Sequence, residues 1–175
     1  ASLPVWQRTL IGVLLVIGFG AKLGLLPFYE WFPGAYGAGS GASGAIMSGV
    51  VLNAAFFGLS RGLLNWLPMD HLHGLGIFVV AIGVLSAILA VLYAFQQEDW
   101  RTLLSFSSAE NAATAVVALG ASMLFRDGML ADLAGLAWTV ALLHMAGHAL
   151  AKGGMFLTAD GVAQATGGYA IGHAL

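Results

Sequence analysis

Cysteine is absent from the 175 residues, which excludes disulfides, thiolate metal sites and cysteine-ligated iron–sulfur clusters. No cofactor is expected in this chain, so any redox chemistry must sit in another one. Charge is scarce too. Only 8% of residues are Asp, Glu, Lys or Arg, against about 25% in soluble domains. Hydrophobic residues make up 59%, and the mean hydropathy is +0.90. Such a chain cannot dress a water-facing surface. There is no basic run for nucleic acid to bind, and the formal net charge of -2 offers none. Lysine is the scarcest charged residue: Lys22 and Lys152 both fall inside apolar stretches, while the fixed cations Arg8, Arg61, Arg101 and Arg126 lie near loops. Buried lysine can lose its proton and arginine effectively cannot. A titratable cation inside and a fixed one outside is what a proton relay requires.

What remains is apolar sequence in five long segments. Lipid supplies no backbone partners, so each segment must be a helix, and about 20 apolar residues span the hydrocarbon core. The expected fold is all-α, a single polytopic transmembrane bundle over residues 1–175 with about five spans. Its expected location is the cell inner (plasma) membrane, as a multi-pass protein in contact with lipid. The chain opens Ala-Ser-Leu-Pro with no charged leader, which fits the central segment of a longer subunit.

The first span is expected over Thr9–Leu26, ended or broken near Pro27, which removes a backbone donor. Lys22 sits just before that point, either as an anchor snorkelling to the interface or as a functional charge at a broken helix. The glycine- and serine-rich stretch Gly34–Gly44 reads as a re-entrant or surface loop. A second span over Ala45–Leu64 carries Ser48 and Asn53 inward. Asn53 reads as interhelical glue rather than as a ligand. His71 and His73 read as solvated loop residues. The uncharged third span covers Gly74–Phe95. A fourth, Leu103–Phe125, contains SFSSAEN; Glu110 there is either an interfacial carboxylate or the acidic partner of a buried lysine. The last span, Leu133–Val162, is longer than a bilayer needs. It must tilt, break near Gly153-Gly154, or emerge before Asp160.

That last span holds the motif around which the chain is organised, LLHMAGHALAKGGMF, Leu142–Phe156. His144, His148 and Lys152 follow one another at four-residue steps, which places them on one helical stripe, roughly 6 Å apart along the axis. A lysine at a helix centre costs roughly 2.5–3.5 kcal/mol on insertion scales, and such residues usually face the bundle interior and mark an ion or proton path. HxxxH on a helix can also hold zinc. Here no acidic residue lies between the histidines and no third ligand is near in sequence, so no metal is expected. Each histidine alone reads as a packing contact; Lys152 on the same stripe tips the reading toward a relay.

The run GFGAKLGLLPFYEWFPGAYGAGSGASGAIMSGVVLNAAFFGLSR resembles the lysine-bearing broken helix, loop and following helix of the antiporter-like membrane subunits. These occur in respiratory complex I, group 4 hydrogenases and formate hydrogenlyase, and multisubunit sodium/proton antiporters. QQEDWRTLLSFSSAEN is similar to the family's turn into its next helix, and LLHMAGHALAKGGMFLTADGV to its histidine–lysine helix. The likeness runs from about Ile17 to Gly167, with SSAEN closest to the hydrogenase branch.

The resemblance implies proton translocation along a hydrated mid-membrane axis, coupled to redox chemistry in partner membrane subunits, and no bond chemistry here. Lys22 would be the family's first central lysine, with His144, His148 and Lys152 as its relay. Departures are plain. Asn53 stands where many members have lysine, Ser48 where complex I members have a histidine, and Tyr29 and Tyr36 where the family has loop histidines. Gly37 and Ser40 stand where it has loop prolines. Its further charged helices upstream and downstream fall outside these residues. Two other readings stay open: a sodium/proton antiporter module without redox partners, and a structural subunit whose relay has decayed. On sidedness, alternating spans put Arg8, Arg61 and Arg126 on one face and Arg101 on the other. An excess of cytoplasmic arginine favours the first face as cytoplasmic; the resemblance puts the turn Gln97–Asp99 there instead, and is followed.

Overall fold

The computed structural model describes residues 3–68 and 73–173. Its helices are α1 (Val5–Leu23), α2 (Trp31–Ala38), α3 (Gly41–Trp66), α4 (His73–Ala94), α5 (Trp100–Asp127) and α6 (Ala131–Thr166). A short 3₁₀ turn follows at Ile171–His173, and no strand occurs among the described residues. All but α2 are long and apolar enough to cross a membrane, as the hydropathy pattern implies.

α5 is the axis of the bundle. Some 56% of its apolar window is buried, against 22% for α1 and for α6. α4 and α6 pack along α5, α3 crosses α6, and α1 and α2 rest on α3 and α5 respectively. The inward residues of α5 are small, among them Ala109, Ala112, Ala113 and Ala115. Small side chains let helices approach closely where lipid supplies no hydrophobic drive. Outward faces stay apolar, with Leu143 69% and Leu150 82% exposed on α6.

Boundaries follow backbone chemistry more than hydropathy. α1 stops at Gly24, whose φ of 75° lies in the left-handed region that glycine adopts without a steric penalty. The Leu25 and Gly24 N–H groups turn back to the Gly20 and Ala21 carbonyls, a Schellman ending with Pro27 just beyond it. The helix thus ends before Pro27, and Lys22 lies in its last turn.

Gly34–Gly44 is not a loop. Its first half belongs to α2, which buries Phe32 and Tyr36 one turn apart, and Gly41 already opens α3. Tertiary burial overrides the weak helix propensity of glycine. The α3 N-terminus is fully capped. The Ser40 side chain accepts from the Ser43 N–H (3.2 Å), and the Asp160 carboxylate on α6 accepts from Gly41 (2.6 Å) and Ala42 (2.9 Å). Close approach explains Gly41 itself: a Cβ there would sit 2.2 Å from the Phe156 carbonyl oxygen.

α6 runs through Gly153-Gly154 without a break. Its 36 residues measure about 54 Å at 1.5 Å per residue, so it overhangs a hydrocarbon core of about 30 Å. His73 opens α4 rather than lying in a loop; it is largely exposed and hydrogen-bonds Asp127 at 3.2 Å. His71 lies outside the described residues. Arg8 and Arg126 reach the Pro68 and Leu64 carbonyls at one end of the bundle, while Arg101 reaches Gly39 at the other. The grouping of arginines by alternating spans is as the sequence implies.

Candidate functional site

The stripe of α6 faces inward. His148 and Lys152 are each 5% exposed, flanked by buried Ala141, Met145 and Phe156, and His144 is half-buried. A helix repeats its face every 3.6 residues, so one orientation turns all three inward, burying His148 and Lys152 and half-burying His144. His144, His148 and Lys152 line one cleft of about 430 Å³ together with Ser107 and Asn111 of α5. A second cleft of about 660 Å³ opens beside Lys152 between α5 and α6, floored by Trp100, Ser107 and Thr158.

Two serines of α5 meet this stripe. Lys152 Nζ donates to Ser107 Oγ at 2.6 Å. The lysine has no ion pair among the described residues, so a buried ammonium rests on a neutral hydroxyl. Ser108 lies against Ser48 of α3, with 2.8 Å between the oxygens, and Ser48 Oγ lies 3.5 Å from His148 Nε2. Ser108 donates to the Leu104 carbonyl (2.8 Å), so the proton between the serines is Ser48's. With that proton committed, Ser48 can only accept from the imidazole. The neutral His148 then carries its hydrogen on Nε2 and leaves Nδ1 as an acceptor. Nδ1 of His148 and Nε2 of His144 are both buried without a partner among the described residues. Leaving such an atom dry costs about 1–3 kcal/mol. Beside clefts of this size, water is the partner the chemistry demands.

Ser48 is placed by an irregularity. Met47–Val51 is a π-helical turn inside α3, which widens the helix locally; such bulges occur frequently at functional sites.

The remaining candidates lie apart from this cluster. Glu110, three residues past Ser107, is half-buried and accepts from Asn111 Nδ2 (2.7 Å) and Thr114 Oγ1 (3.2 Å). It lines a separate cleft of about 310 Å³ that also reaches Ser107. Asn53 is half-buried and donates to the Gly49 carbonyl of its own helix (2.7 Å); among the described residues it makes no hydrogen bond to another helix. An amide one turn above a free carbonyl closes that local bond before it can reach a neighbouring helix. Lys22 is exposed on the flank of α1, with no hydrogen bond or ion pair among the described residues. No residue of α1 lines the clefts beside the stripe. Among the described residues no three His, Asp or Glu side chains gather closely enough to share a metal ion.

One end of the stripe is closed by charge. Asp160, besides capping α3, accepts a short hydrogen bond from the Tyr169 hydroxyl. Arg101 lies over the Tyr169 ring, 3.8 Å from its centre, donates to Gly39 O (2.8 Å) and forks onto Asp99 (3.1 and 2.8 Å). Burial works to raise the Asp99 carboxyl, but the Arg101 guanidinium and the N–H groups at the start of α5 outweigh it and hold it below the usual carboxylate value. The Asp160 carboxylate, accepting from the phenol, pushes Tyr169 up.

Sequence reading missed Ser107, Ser108, Tyr36 and Asp160 as neighbours of the stripe. The two serines were visible only as part of SFSSAEN, and Tyr36 only as a departure from a pattern.

Residues 2–170 match the family described as NADH:quinone oxidoreductase/Mrp antiporter, transmembrane. Hydrogenase-4 component B of Escherichia coli (strain K12) is 37% identical over 165 residues, covering 92% of this chain and 24% of the relative. Formate hydrogenlyase subunit 3 of the same organism is 31% identical over 162 residues, 90% of this chain and 26% of the relative. An NAD(P)H-quinone oxidoreductase chain 4 of Thermosynechococcus vestitus is 31% identical over 144 residues, 82% and 25% respectively. The chain thus spans about a quarter of the length of these curated relatives.

Proposed function

The chain belongs to the NADH:quinone oxidoreductase/Mrp antiporter transmembrane family, and from that premise we propose that it is the proton-relay core of an antiporter-like subunit in a redox-driven membrane complex. Protons pass along α6 between Lys152, His148 and His144, through water in the clefts beside them. The observation that carries this reading is the cleft of about 430 Å³ lined by all three, in which Lys152 is held by a single neutral hydroxyl. A buried ammonium without a fixed anion has its two protonation states closer in energy than an ion-paired one, and a station must both take and release its proton. Steps of roughly 6 Å along the helix exceed one hydrogen bond, so each hop uses a bridging water or a side-chain movement.

Glu110 is the carboxylate that modulates Lys152 from one turn away on α5. Lys22, exposed on the far flank, joins the path only through helices beyond these residues. Partner membrane subunits of a hydrogenase or quinone oxidoreductase assembly are proposed on the strength of the relatives. Protons are the proposed ion, and sodium is the alternative that the experiment separates.

In the full-length protein assembled with its partners and reconstituted in vesicles, Lys152→Arg keeps the charge and blocks deprotonation. Lys152→Arg and Lys152→Met are both expected to assemble and to lower proton translocation at least about tenfold. Wild-type translocation by Lys152→Arg would overturn the relay. Translocation that requires sodium and survives without redox partners would assign the antiporter reading instead.

A further inference from the structure

Two arginines that the relay does not use, Arg61 and Arg126, share the end of the bundle opposite Arg101 and Asp160. There α3 and α5 stop, α6 starts, and the three helices leave a cleft of about 490 Å³ between them. Its lining sorts by depth. Arg126 is the penultimate residue of α5, and Arg61 and Asn65 lie within the last two turns of α3. Trp66 beside them is 65% exposed, an aromatic ring at the level where headgroups meet hydrocarbon. Phe57, Gly135 and Trp138 line the cleft deeper down. At 1.5 Å per residue, Phe57 lies about 14 Å inside the end of α3 and Trp138 about 10 Å inside the start of α6.

The cations at the mouth are under-used. Arg61 makes no hydrogen bond or ion pair among the described residues. Asn65, four residues on, shares its helix face. Arg126 donates to the Leu64 carbonyl at 3.1 Å, which draws its guanidinium from α5 toward α3. That bond uses one of five N–H donors. Among the described residues no acidic side chain lines the cleft. Asp127 is turned to His73 on α4 at 3.2 Å, and Asp132 is exposed in the first turn of α6, outside the lining. Below the arginines there is room. A Cβ on Gly135 would meet no atom within 4 Å, and Trp138 is steadied by stacking on Phe56 with 6.1 Å between ring centres.

A soluble anion would use the arginines and leave the recess empty. A neutral lipid would fill the recess and leave Arg61 unpaired. We propose that the cleft binds one anionic phospholipid, its phosphate between Arg61 and Arg126 and the upper part of one acyl chain against Gly135 and Trp138. A guanidinium presents a planar fork to two phosphate oxygens, and the Asn65 amide adds a neutral donor. Basic pockets between transmembrane helices recognise lipid headgroups by this chemistry. The site also has a structural use. α5 is bonded to each neighbour here, through Arg126 to Leu64 of α3 and through Ser122 to the Ala134 carbonyl of α6 (2.9 Å). The lipid supplies the third side, between α3 and α6. None of this depends on the proton relay.

The test uses the full-length protein assembled with its partners and exchanged into lipid-free detergent. Retained lipid is counted by native mass spectrometry, then phosphatidylglycerol or phosphatidylcholine is titrated back. Wild type should hold one phosphatidylglycerol that Arg61→Gln loses, with affinity at that site falling at least about fivefold; phosphatidylcholine should not replace it. Gly135→Leu keeps both arginines, fills the recess and should lose the same lipid. Equal retention of phosphatidylglycerol by wild type and Arg61→Gln would overturn the proposal, and so would equal binding of phosphatidylcholine. Loss in Arg61→Gln but not in Gly135→Leu, with displacement by inorganic phosphate, would make this a free-anion site and sink the lipid assignment. If wild type holds no lipid there, protein covers the cleft. Failure of Arg61→Gln to assemble would make Arg61 structural, and the proposal would fall.

Discussion

The middle of α6 and its charged end treat polar groups in opposite ways. At the end, Asp160 takes two backbone N–H groups and a phenol, Asp99 takes a forked guanidinium, and Arg101 also spans to Gly39 and stacks on Tyr169. Asp160, Asp99 and Arg101 each have a fixed opposite or a dipole there. In the middle, Lys152 has one hydroxyl, His148 one weak contact, and buried polar atoms of Tyr36, His144 and His148 have none among the described residues; at the end only the neutral Trp100 indole N–H is left so. Fully paired charges resist change because breaking one partner strands the other. Under-paired groups exchange partners readily. The end is built as a latch, and the middle as a path.

The largest effect should come from opening the latch. Gly41→Ala drives a Cβ into the Phe156 carbonyl and the Asp160 carboxylate, at 2.2 and 2.7 Å. Backbone cannot yield as a flexible side chain would, so the variant should lose roughly 1–3 kcal/mol or more. It should also carry Ser48 away from His148. Thermal unfolding in detergent and native-gel assembly would show both stability and assembly reduced. A variant as stable as wild type would mean that α3 is not pinned to α6 at this point.

A smaller effect distinguishes latch from path by pH. Asp99 lies below its ordinary 3.8 in the folded protein, so its contribution is present above about pH 4 and is lost as pH falls through the folded value. Tyr169 lies above its ordinary 10.0; its contribution is present below about pH 10 and is lost as pH rises through the folded value. These two groups should therefore contribute a fall in the unfolding midpoint below about pH 4 and above about pH 10. Asp99→Asn should remove part of the acid drop and leave translocation at neutral pH unchanged. An unaltered acid limb in that variant would take Asp99 out of the latch.

The smallest effect is expected at Asn53. Among the described residues its amide serves only the Gly49 carbonyl of the same helix, and it is half-buried, so Asn53→Lys should assemble normally and shift stability by less than about 1 kcal/mol, with proton flux maintained or raised. Lost assembly would show position 53 to be tightly packed after all and would extend the path's surroundings further along α3.

The sequence by itself determined whatever depends on neighbours along the chain. Hydropathy and the absence of charge fixed five spans, because lipid forces every apolar segment to satisfy its own backbone. The four-residue spacing of His144, His148 and Lys152 already put them on one face, since helical period is local. Local reading failed where packing overrides propensity. Gly34–Gly44 became the end of one helix and the start of the next, linked by Gly39 and Ser40, because Phe32 and Tyr36 bury themselves on the bundle, and Asn53 turned back on its own helix. Only the tertiary structure decided what meets the stripe. Ser107 and Ser108 are adjacent in sequence, yet one holds Lys152 on α6 and the other Ser48 on α3, a division set by where two other helices cross α5. Tyr36 and Phe156 are 120 residues apart and stack; no periodicity in either segment encodes that meeting. Long-range contacts arise from helix crossing and side-chain volume, which are properties of the assembled bundle and not of any one span.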